Sequence, residues 1–419
     1  MTEAREYDIV LYGATGFVGK LTAEYLARAG GGARIALAGR STDRLRAVRD
    51  TLGSPAQFWP VLMADASSPS TLDAMAAQTR VVVTTVGPYS RYGLPLVAAC
   101  AAAGTDYADL TGEPPFVRDS IDLYHKQALD TGARIVHACG FDSIPSDLTV
   151  YALYRRASED GAGELDETNF VVRSFSGGLS GGTIASAVEV LRTVSSDPNA
   201  RRQFADPYTL SPDRGAEPEL GAQPDLRWRR GRQIAPELAG LWTAGFAMAP
   251  INTRIVRRSN ALQQWAYGRQ FRYSEHMSLG SSAVAPITSA VVNGVGNTVS
   301  ALGNRYFRLL PDRLVQRVLP KPGSGPSAAV RQRGYYKAET YTTTTTGARY
   351  VATIAQQGDP GYHATSVLLG ESGLALAMDR DELSELRGVL TPAAAMGDVL
   401  MTRLPAAGVS LDTARLAPR

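Results

Sequence analysis

The sequence predicts an α/β protein in which a doubly wound parallel sheet is followed by a second, α+β domain with a mostly antiparallel sheet. The chain has 419 residues, which is too many for one ordinary hydrophobic core. Before Thr149, short apolar runs alternate with helical patterns, as expected for parallel strands covered by helices, and after it the alternation ends. We therefore assign 1–149 to the first domain, 150–387 to the second, and 388–419 to a C-terminal segment that returns to the first.

The first strand and the turn after it predict a Rossmann-type dinucleotide site. Tyr7–Tyr12 is mostly apolar, and three glycines at three-residue spacing precede a helical pattern that runs to Ala29. The first glycine permits a tight turn, the second lets the backbone approach a pyrophosphate, and the third lets helix and strand pack closely. The alternative is a glycine-rich turn that binds no ligand. The candidate cofactor-binding residues of this turn are Gly13, Ala14, Thr15, Gly16, Phe17, Val18 and Gly19.

The residues after the second strand favour NADP(H) over NAD(H). Arg34–Ala38 is followed by Gly39, Arg40 and Ser41, where an NAD site usually carries an acidic residue for the ribose 2′-hydroxyl. A guanidinium and a hydroxyl suit a 2′-phosphate, because both donate hydrogen bonds to it. The alternative is that Arg40 is a solvated charge and that Ser41 caps the next helix.

Four further strands complete the predicted parallel sheet. Ligands of such sheets bind outside the carboxyl ends of the strands. We therefore place Asp65 near the adenine, and Val86, Gly87 and Pro88 along the cofactor towards the nicotinamide. The strands are Trp59–Ala64, Val81–Val86, Asp106–Asp109 and Arg134–His137, with helical stretches such as Leu94–Ala103 and Phe116–Leu129 between them.

The candidate catalytic residues follow the fourth and sixth strands. Tyr89 comes directly after the fourth strand, and Asp142 and Ser143 come after the sixth. A proton donor has to lie within hydrogen-bond reach of its target, here near the nicotinamide. Tyr89 could instead pack on the nicotinamide ring, Asp142 could cap the next helix, and a water molecule could be the donor. Asp109 and Glu113 are expected to hold the loop after the fifth strand.

The composition excludes several classes of protein. With 44% hydrophobic and 20% charged residues and a formal charge of +3, the chain is typical of a globular protein that does not bind nucleic acid. Cys100 and Cys139 cannot form a disulfide framework, and the scattered histidines predict no metal site. His137 is expected to pack at a strand end. Met1–Asp8 lacks the features of a signal peptide, so a cytoplasmic location is expected.

The second domain has a weaker pattern. Tyr336–Gln356 contains two runs of β-branched and aromatic residues around Gly347, which predict an antiparallel hairpin, and Tyr362–Met378 is predicted to be a helix packed on it. Gly388–Leu411 is apolar and helical in pattern. Arg201–Arg232 is rich in Pro, Gly, Arg and Asp and is predicted to be a long surface loop.

A glycine-rich turn in this domain has several interpretations. Phe170–Phe175 is predicted to be a strand, Ser176–Thr183 a turn and Ile184–Val194 a helix whose amides could face the cofactor or an acyl carbonyl. Gly178–Gly182 also matches the elbow of serine hydrolases, but no HGGG-type oxyanion motif precedes it. The chain contains no Tyr-x-x-x-Lys pair, which argues against the short-chain dehydrogenase mechanism.

Met277–Asn304 contains no charged side chain and has arginines on both sides. Its length could span a bilayer, but its Ser, Thr, Asn and Gly content and Pro286 argue against spanning. Our hypothesis is a mobile apolar surface that receives a lipid-like chain and contacts a membrane or a partner protein. An ordinary buried helical segment is the alternative.

Several stretches together resemble the saccharopine dehydrogenase family, and they are similar above all to its enoyl reductase branch, whose mycobacterial members act in trans for polyketide synthases. The resemblance extends over the whole chain. The stretches are YGATGFVG, AGRS, TTVGPY, YADLTGE (Tyr107–Glu113), GFDSIPSD (Gly140–Asp147), ELGAQPD (Glu219–Asp225) and GVLTPAAAMGD (Gly388–Asp398).

This resemblance implies an NADPH-dependent enoyl reductase of lipid or polyketide biosynthesis. Its substrate would be an α,β-unsaturated acyl or polyketidyl thioester carried by a partner polyketide synthase; the β-carbon receives a hydride and the α-carbon a proton. Peripheral membrane contact and a homo-oligomer stay open. Two alternatives remain: a saccharopine-type amino-acid or imine dehydrogenase, which needs paired arginines such as Arg173 for substrate carboxylates, and a non-catalytic NADP-binding scaffold.

Overall fold

The computed structural model describes residues 5–177, 196–226, 228–282 and 325–418. In chain order the strands are β1 (Tyr7–Tyr12), β2 (Ile35–Gly39), β3 (Val61–Met63), β4 (Thr79–Thr84), β5 (Asp106–Ala108), β6 (Arg134–Val136), β7 (Leu165–Ser176), β8 (Trp242–Gly245), β9 (Arg272–Gly280), β10 (Tyr335–Thr344), β11 (Arg349–Gln357), β12 (Gly388–Leu390) and β13 (Val409–Leu416). The helices are α1 (Phe17–Ala29), α2 (Thr42–Thr51), α3 (Pro69–Gln78), α4 (Tyr89–Ala103), α5 (Pro114–Thr131), α6 (Ile144–Glu159), α7 (Pro198–Ala205), α8 (Ala249–Leu262), α9 (Ala328–Arg333), α10 (Thr365–Met378) and α11 (Pro392–Ala406), besides a single helical turn at Gly231–Ile234.

The first sheet is parallel and has helices on both faces, which confirms the predicted doubly wound fold. Its strand order is β12-β6-β5-β4-β1-β2-β3. Every residue of β1 is buried, as expected for a parallel strand covered on both sides. Ile9 and Leu11 belong to the apolar cluster that contains Tyr25 of α1. Val10 belongs to the opposite cluster, together with Val97 of α4.

The second sheet is mixed, with the order β13-β11-β10-β7-β9-β8. Only β7 and β9 are parallel among its described pairs, which confirms a mostly antiparallel sheet. The predicted hairpin is β10–β11, and Gly347 has a φ of +82° in its turn, a conformation that favours glycine. Helix α6 packs on this sheet, where the hydroxyls of Thr149 and Thr340 lie 2.7 Å apart. Helix α6 is thereby held on the second sheet.

The predicted packing of Tyr362–Met378 on the hairpin is wrong. Helix α10 packs against α1 and against β1 and β4 of the first sheet. Gly370 lies against the ring of Tyr25, and Gly373 lies against Val83, so small residues permit the close approach. Because Thr365–Ala377 is buried on every side, the helix has no single apolar face from which its partner could be inferred.

The C-terminal segment contains more strand than its pattern predicts. Gly388–Leu411 was expected to be helical, but β12 pairs with β6 in the first sheet and β13 pairs with β11 in the second, on either side of α11. The segment therefore contributes to both sheets. The domain boundaries at 149 and 387 stay our proposal, with α11 and its flanking strands as the connection between the two domains.

The stretch predicted to be a surface loop, Arg201–Arg232, is more buried than expected. It is irregular apart from short helices, but its Tyr208, Leu210 and Leu220 are buried. Three buried arginines of α8 donate hydrogen bonds to its backbone carbonyls, which keeps it packed on that helix. The pairs are Arg254 with Phe204, Arg257 with Pro207 and Arg258 with Leu210.

Three sequence predictions lie wholly or largely outside the described residues. These are the elbow at Gly178–Gly182, the helix at Ile184–Val194 and most of the apolar stretch Met277–Asn304, of which only residues 277–282 are described. Among the helices that the structure describes, none combines the length and apolar character needed to cross a membrane.

Candidate active site

Glycine occupies the three positions of the first turn for different structural reasons. Gly13 has a φ of +91°, and a Cβ there would lie 2.7 Å from Val86 Cγ2. A Cβ on Gly19 would lie 2.2 Å from the carbonyl oxygen of Gly13, so the fold itself excludes a side chain at both positions. Gly16 has an ordinary φ of −73°, and its Cβ would meet only that carbonyl, at 3.3 Å. The fold does not demand glycine at 16, which fits a backbone that a ligand approaches closely.

Helix α1 begins at Phe17, directly after this turn. Like every helix, it has first-turn amides without an intrahelical acceptor, and these belong to Phe17, Val18 and Gly19. Thr15 and Val18 are partly exposed, whereas Ala14 is buried. The Phe17 ring packs edge-on against Tyr362, with centroids 4.9 Å apart. The chain therefore provides free amides at a helix N-terminus, which is the arrangement that binds phosphates.

The second strand ends in exposed basic residues. Arg40 is exposed and forms no ion pair within the described ranges, and the same holds for Arg44 on the first turn of α2. The Ser41 hydroxyl accepts a hydrogen bond from the backbone amide of Arg44 at 3.5 Å. Ser41 therefore caps helix α2, as the alternative interpretation of this residue expected. The Asp65 carboxylate accepts hydrogen bonds from the amide and the hydroxyl of Ser67. These bonds lower the pKa of Asp65, and Arg40 lowers it to a smaller extent. The sequence reasoning missed Arg44, although it stands only four residues after Arg40.

The loop after β4 lies beside the glycine turn. The Thr85 hydroxyl donates to the Gly13 carbonyl at 3.2 Å, which joins the two loops. Gly87 is exposed, and Val86 and Pro88 are partly exposed, in the loop after the carboxyl end of β4. The N-terminal amides of α4 are already occupied, because the Glu113 carboxylate accepts from two of them, each at 2.9 Å. This confirms the expected structural role of Glu113.

Tyr89 lies in the core, which corrects its assignment as first candidate for the proton donor. The side chain is 4% exposed, and its hydroxyl donates to the Thr84 carbonyl at 3.2 Å while accepting from the Leu110 amide at 3.1 Å. Burial raises the pKa of Tyr89 well above its ordinary value, and the Asp109 carboxylate adds to the effect. The hydroxyl thus joins two backbone groups inside the protein and holds the loops together, with its proton directed to the Thr84 carbonyl.

Asp109 and His137 also have structural roles, as expected. The Asp109 carboxylate accepts from the amides of Thr111 and Ala138, at 3.0 and 2.9 Å, and from the Tyr107 hydroxyl. His137 is fully buried between Asp109 and Ser120, at 2.7 and 2.8 Å from them. These bonds fix the loops after β5 and β6, the second of which leads to the remaining acidic candidate.

Asp142 is the remaining acidic candidate for the site. It is partly exposed, it precedes the N-cap of α6, which is Ser143, and it forms no ion pair within the described part of the chain. The pKa of Asp142 is raised to about 7, mainly by burial and to a smaller extent by the Asp109 carboxylate, while its own backbone amide opposes the shift. A carboxyl that titrates near neutral pH can hold and release a proton under physiological conditions.

Ser143 is fully buried and does not face the cleft, so it is not a proton donor to a substrate. Its hydroxyl donates to Asn252 Oδ1 of α8 at 2.9 Å. The sequence reasoning missed Asn252 and Thr365, because each lies more than 100 residues away in the chain from the loop that it contacts, and it missed Glu275, which holds Asn252. No local pattern marks such residues.

No metal centre is found among the described residues, where no group of three or more His, Cys, Asp or Glu side chains is arranged to hold an ion.

Comparisons with known proteins place this site in a family. Residues 9–136 match the saccharopine dehydrogenase NADP binding domain. A Mycobacterium bovis protein named trans-acting enoyl reductase is 69% identical over 99% of both chains. The chain belongs to the enoyl reductase branch of the saccharopine dehydrogenase family. As a member of this family it is an oxidoreductase, and its cofactor is NADP(H).

Two further members and one solved structure support this membership. A Mycobacterium ulcerans trans-acting enoyl reductase is 67% identical over 98% of this chain and 99% of its own. A Mycobacterium tuberculosis relative, whose name assigns the same activity provisionally, is 78% identical over 99% of both chains. The apo saccharopine dehydrogenase (L-Glu forming) of Saccharomyces cerevisiae has a TM-score of 0.53 and 13% identity, and the match covers 98% of this chain and 99% of that one. The last comparison shows the fold over the whole chain.

Proposed function

We propose that the protein is an NADPH-dependent, trans-acting enoyl reductase, which reduces an α,β-unsaturated acyl or polyketidyl thioester. The observation that carries the proposal is the Asp142 carboxyl, partly exposed at the carboxyl ends of the strands, without an ion pair in the described residues and with a pKa raised to about 7. The shared activity in the names of relatives at 67–69% identity supports the reaction class.

The residues present fit the cofactor. The amides at the start of α1 and the open backbone at Gly16 would hold the pyrophosphate, and Arg40 with Arg44 would hold the 2′-phosphate. Ser41 and Asp65 would border the adenine end. Val86, Gly87 and Pro88 would border the nicotinamide end. When bound, NADPH supplies the hydride for the β-carbon of the substrate.

Asp142 has the task of protonating the α-carbon of the enolate that results. A protonated carboxyl is a suitable donor at neutral pH only if its pKa lies near 7, and the partial burial of Asp142 meets that requirement. The apolar surroundings of the loop, with Phe141 packed edge-on against Tyr336 at 4.7 Å between centroids, keep bulk water from one side of the carboxyl.

The partner would be a synthase that carries the thioester. The word trans-acting in the names of the relatives supports an enzyme that works on the substrate of a separate protein. The apolar stretch Met277–Asn304 would then receive the acyl chain or contact that partner, as its sequence suggests.

The alternative of an amino-acid or imine dehydrogenase loses its main candidate residue. Arg173, which was to bind a substrate carboxylate, forms an ion pair with Glu339 of β10. Glu339 also accepts from the Tyr341 hydroxyl, and both residues lie in the part of the second sheet that faces away from α6. Arg173 is therefore already paired with a carboxylate of the second sheet.

The experiment compares substrates directly. NADPH oxidation is measured with crotonyl and longer enoyl thioesters, free and on a carrier protein of a polyketide synthase, and with amino-acid and imine substrates. The proposal expects turnover with enoyl thioesters only. Turnover with amino acids would establish the dehydrogenase instead, and tight NADPH binding without turnover on any substrate would indicate a scaffold.

A further inference from the structure

The hydroxyl of Ser143 does not cap helix α6, which begins at the next residue. A serine at the N-cap usually accepts a hydrogen bond from an amide of the first turn. The Ser143 side chain forms no such bond, and its hydroxyl donates to Asn252 Oδ1 at 2.9 Å. Both side chains are fully buried. The hydroxyl therefore connects the loop after β6 to helix α8.

The orientation of the Asn252 amide is determined by its other partners. Nδ2 donates to Glu275 Oε2 at 3.0 Å and to Ser146 Oγ at 3.2 Å. With Nδ2 turned towards the oxygens of Glu275 and Ser146, Oδ1 faces the Ser143 hydroxyl and accepts from it. Asn252 thus presents an acceptor to the Ser143 hydroxyl and to no other group of the loop.

Glu275 anchors this arrangement in the second sheet. It lies on β9, is fully buried, and accepts from the Tyr273 hydroxyl at 2.8 Å. The groups that face it are Tyr273, Asn252 and Ser146, with Asp225 as the charged neighbour, and burial raises the pKa of Glu275 to about 7. Three elements, α6, α8 and β9, therefore meet at one amide.

Asp142 lies between two fixed points of its loop. On one side the Phe141 amide donates to Thr365 Oγ1 of α10 at 3.2 Å. On the other side Ser143 is held by Asn252. The direction of the Asp142 carboxyl depends on the backbone at both neighbours. Tyr89 and Asp109 are the titratable groups that interact with it.

We propose that Asn252 is a positioning residue, which sets the direction of the Asp142 carboxyl by holding Ser143. The inference rests on the proposed function, in which Asp142 is the proton donor. Misplacing a reacting group by about 1 Å can cost roughly 100-fold in rate. Loss of the Asn252–Ser143 bond therefore lowers kcat, with little change in KM or in affinity for NADPH, because neither side chain borders the proposed nucleotide site.

The test is a double-mutant cycle in kcat with Ser143→Ala, Asn252→Ala and the double variant. Each single variant is expected to lower kcat by about 10- to 100-fold. The double variant is expected to be no slower than the slower single one, because both remove the same bond. Ser143→Ala carries the test if Asn252→Ala does not fold, because it removes the same hydrogen bond from the other side.

The matched control is Asn260→Ala on the same helix. Asn260 is buried, accepts from the Tyr267 amide at 2.9 Å and donates to the Gly268 carbonyl at 3.0 Å, far from the loop. The Asn260→Ala substitution is expected to lower the melting temperature without changing the pH profile of kcat. In Asn252→Ala the alkaline limb of kcat is expected at lower pH, since water reaches the freed Asp142 carboxyl and its pKa falls. The infrared band of that carboxyl, assigned by difference with Asp142→Asn, reports the same shift without turnover.

The outcomes separate this inference from the proposed function. If Asp142→Asn retains wild-type kcat, the donor assignment is wrong, and the inference with it. If Asp142→Asn is inactive while Ser143→Ala and Asn252→Ala keep the wild-type kcat and carboxyl titration, only the positioning inference is overturned. Losses that multiply in the double variant would likewise contradict it.

Discussion

At the scale of single residues, we expect Arg40 to determine the preference for NADPH over NADH. Its guanidinium is exposed after β2 and forms no ion pair within the described ranges. In Arg40→Asp, loss of a charge-assisted contact should cost about 1.5–3 kcal/mol in NADPH binding, or roughly 10- to 150-fold in Kd. NADH affinity should change far less. Titration of both cofactors measures the effect.

The control for Arg40→Asp is Arg46→Asp, on the same side of the sheet. Arg46 is paired with Asp43 at 3.1 Å, so its loss changes the net charge equally without removing the proposed phosphate ligand. It should leave NADPH affinity within about twofold. Equal affinity of the wild type for NADPH and NADH would contradict the assignment.

The raised pKa of Asp142 predicts how the rate of enoyl reduction depends on pH. The proton donor is active only when protonated, and its pKa is raised to about 7. The rate of enoyl reduction should therefore fall as the pH rises through about 7, and stay level below it. Asp142→Asn should be slow throughout and lose this limb, whereas Asp130→Asn, on the surface of α5, should follow the wild type. A limb that persists in Asp142→Asn would assign it to another group.

At the scale of elements, two glycines of the turn between β1 and α1 have different roles. We expect Gly16 to be needed for ligand binding and Gly19 for folding. A Cβ at Gly16 meets only the Gly13 carbonyl, at 3.3 Å, whereas at Gly19 it would lie 2.2 Å from the same oxygen. Gly16→Val should therefore stay folded and lose NADPH binding. Gly19→Ala should lower the melting temperature. Calorimetry and NADPH titration check both, and a folded Gly16→Val with normal affinity would refute the pyrophosphate assignment.

The elements also show what local pattern can and cannot predict. The strands of the first sheet and the β10–β11 hairpin follow from apolar runs and turn residues, which act over a few positions. The packing partner of α10 cannot be predicted in this way, because this helix is buried on every side. In Gly388–Leu411 the apolar pattern indicated a helix, but β12 and β13 form because edges of both sheets are available to pair with them.

At the scale of the whole molecule, the site joins residues that are distant in the chain. The sequence predicted the glycine turn, Arg40 and Asp142, since each follows a recognisable strand. It did not predict that Tyr89 points into the core or that Ser143 bonds to Asn252, 109 positions away. Such contacts depend on how α8 and β9 pack against α6, which no local spacing encodes.

The most direct test of the account is the reduction of an enoyl thioester by NADPH in D₂O, followed by mass spectrometry of the product. The account predicts a saturated thioester that carries one solvent deuterium at the α-carbon. It also predicts that Asp142→Asn forms this product about 100-fold more slowly with unchanged affinity for NADPH. A wild-type protein that binds NADPH but yields no saturated product from any enoyl thioester, or an Asp142→Asn variant as fast as the wild type, would contradict it.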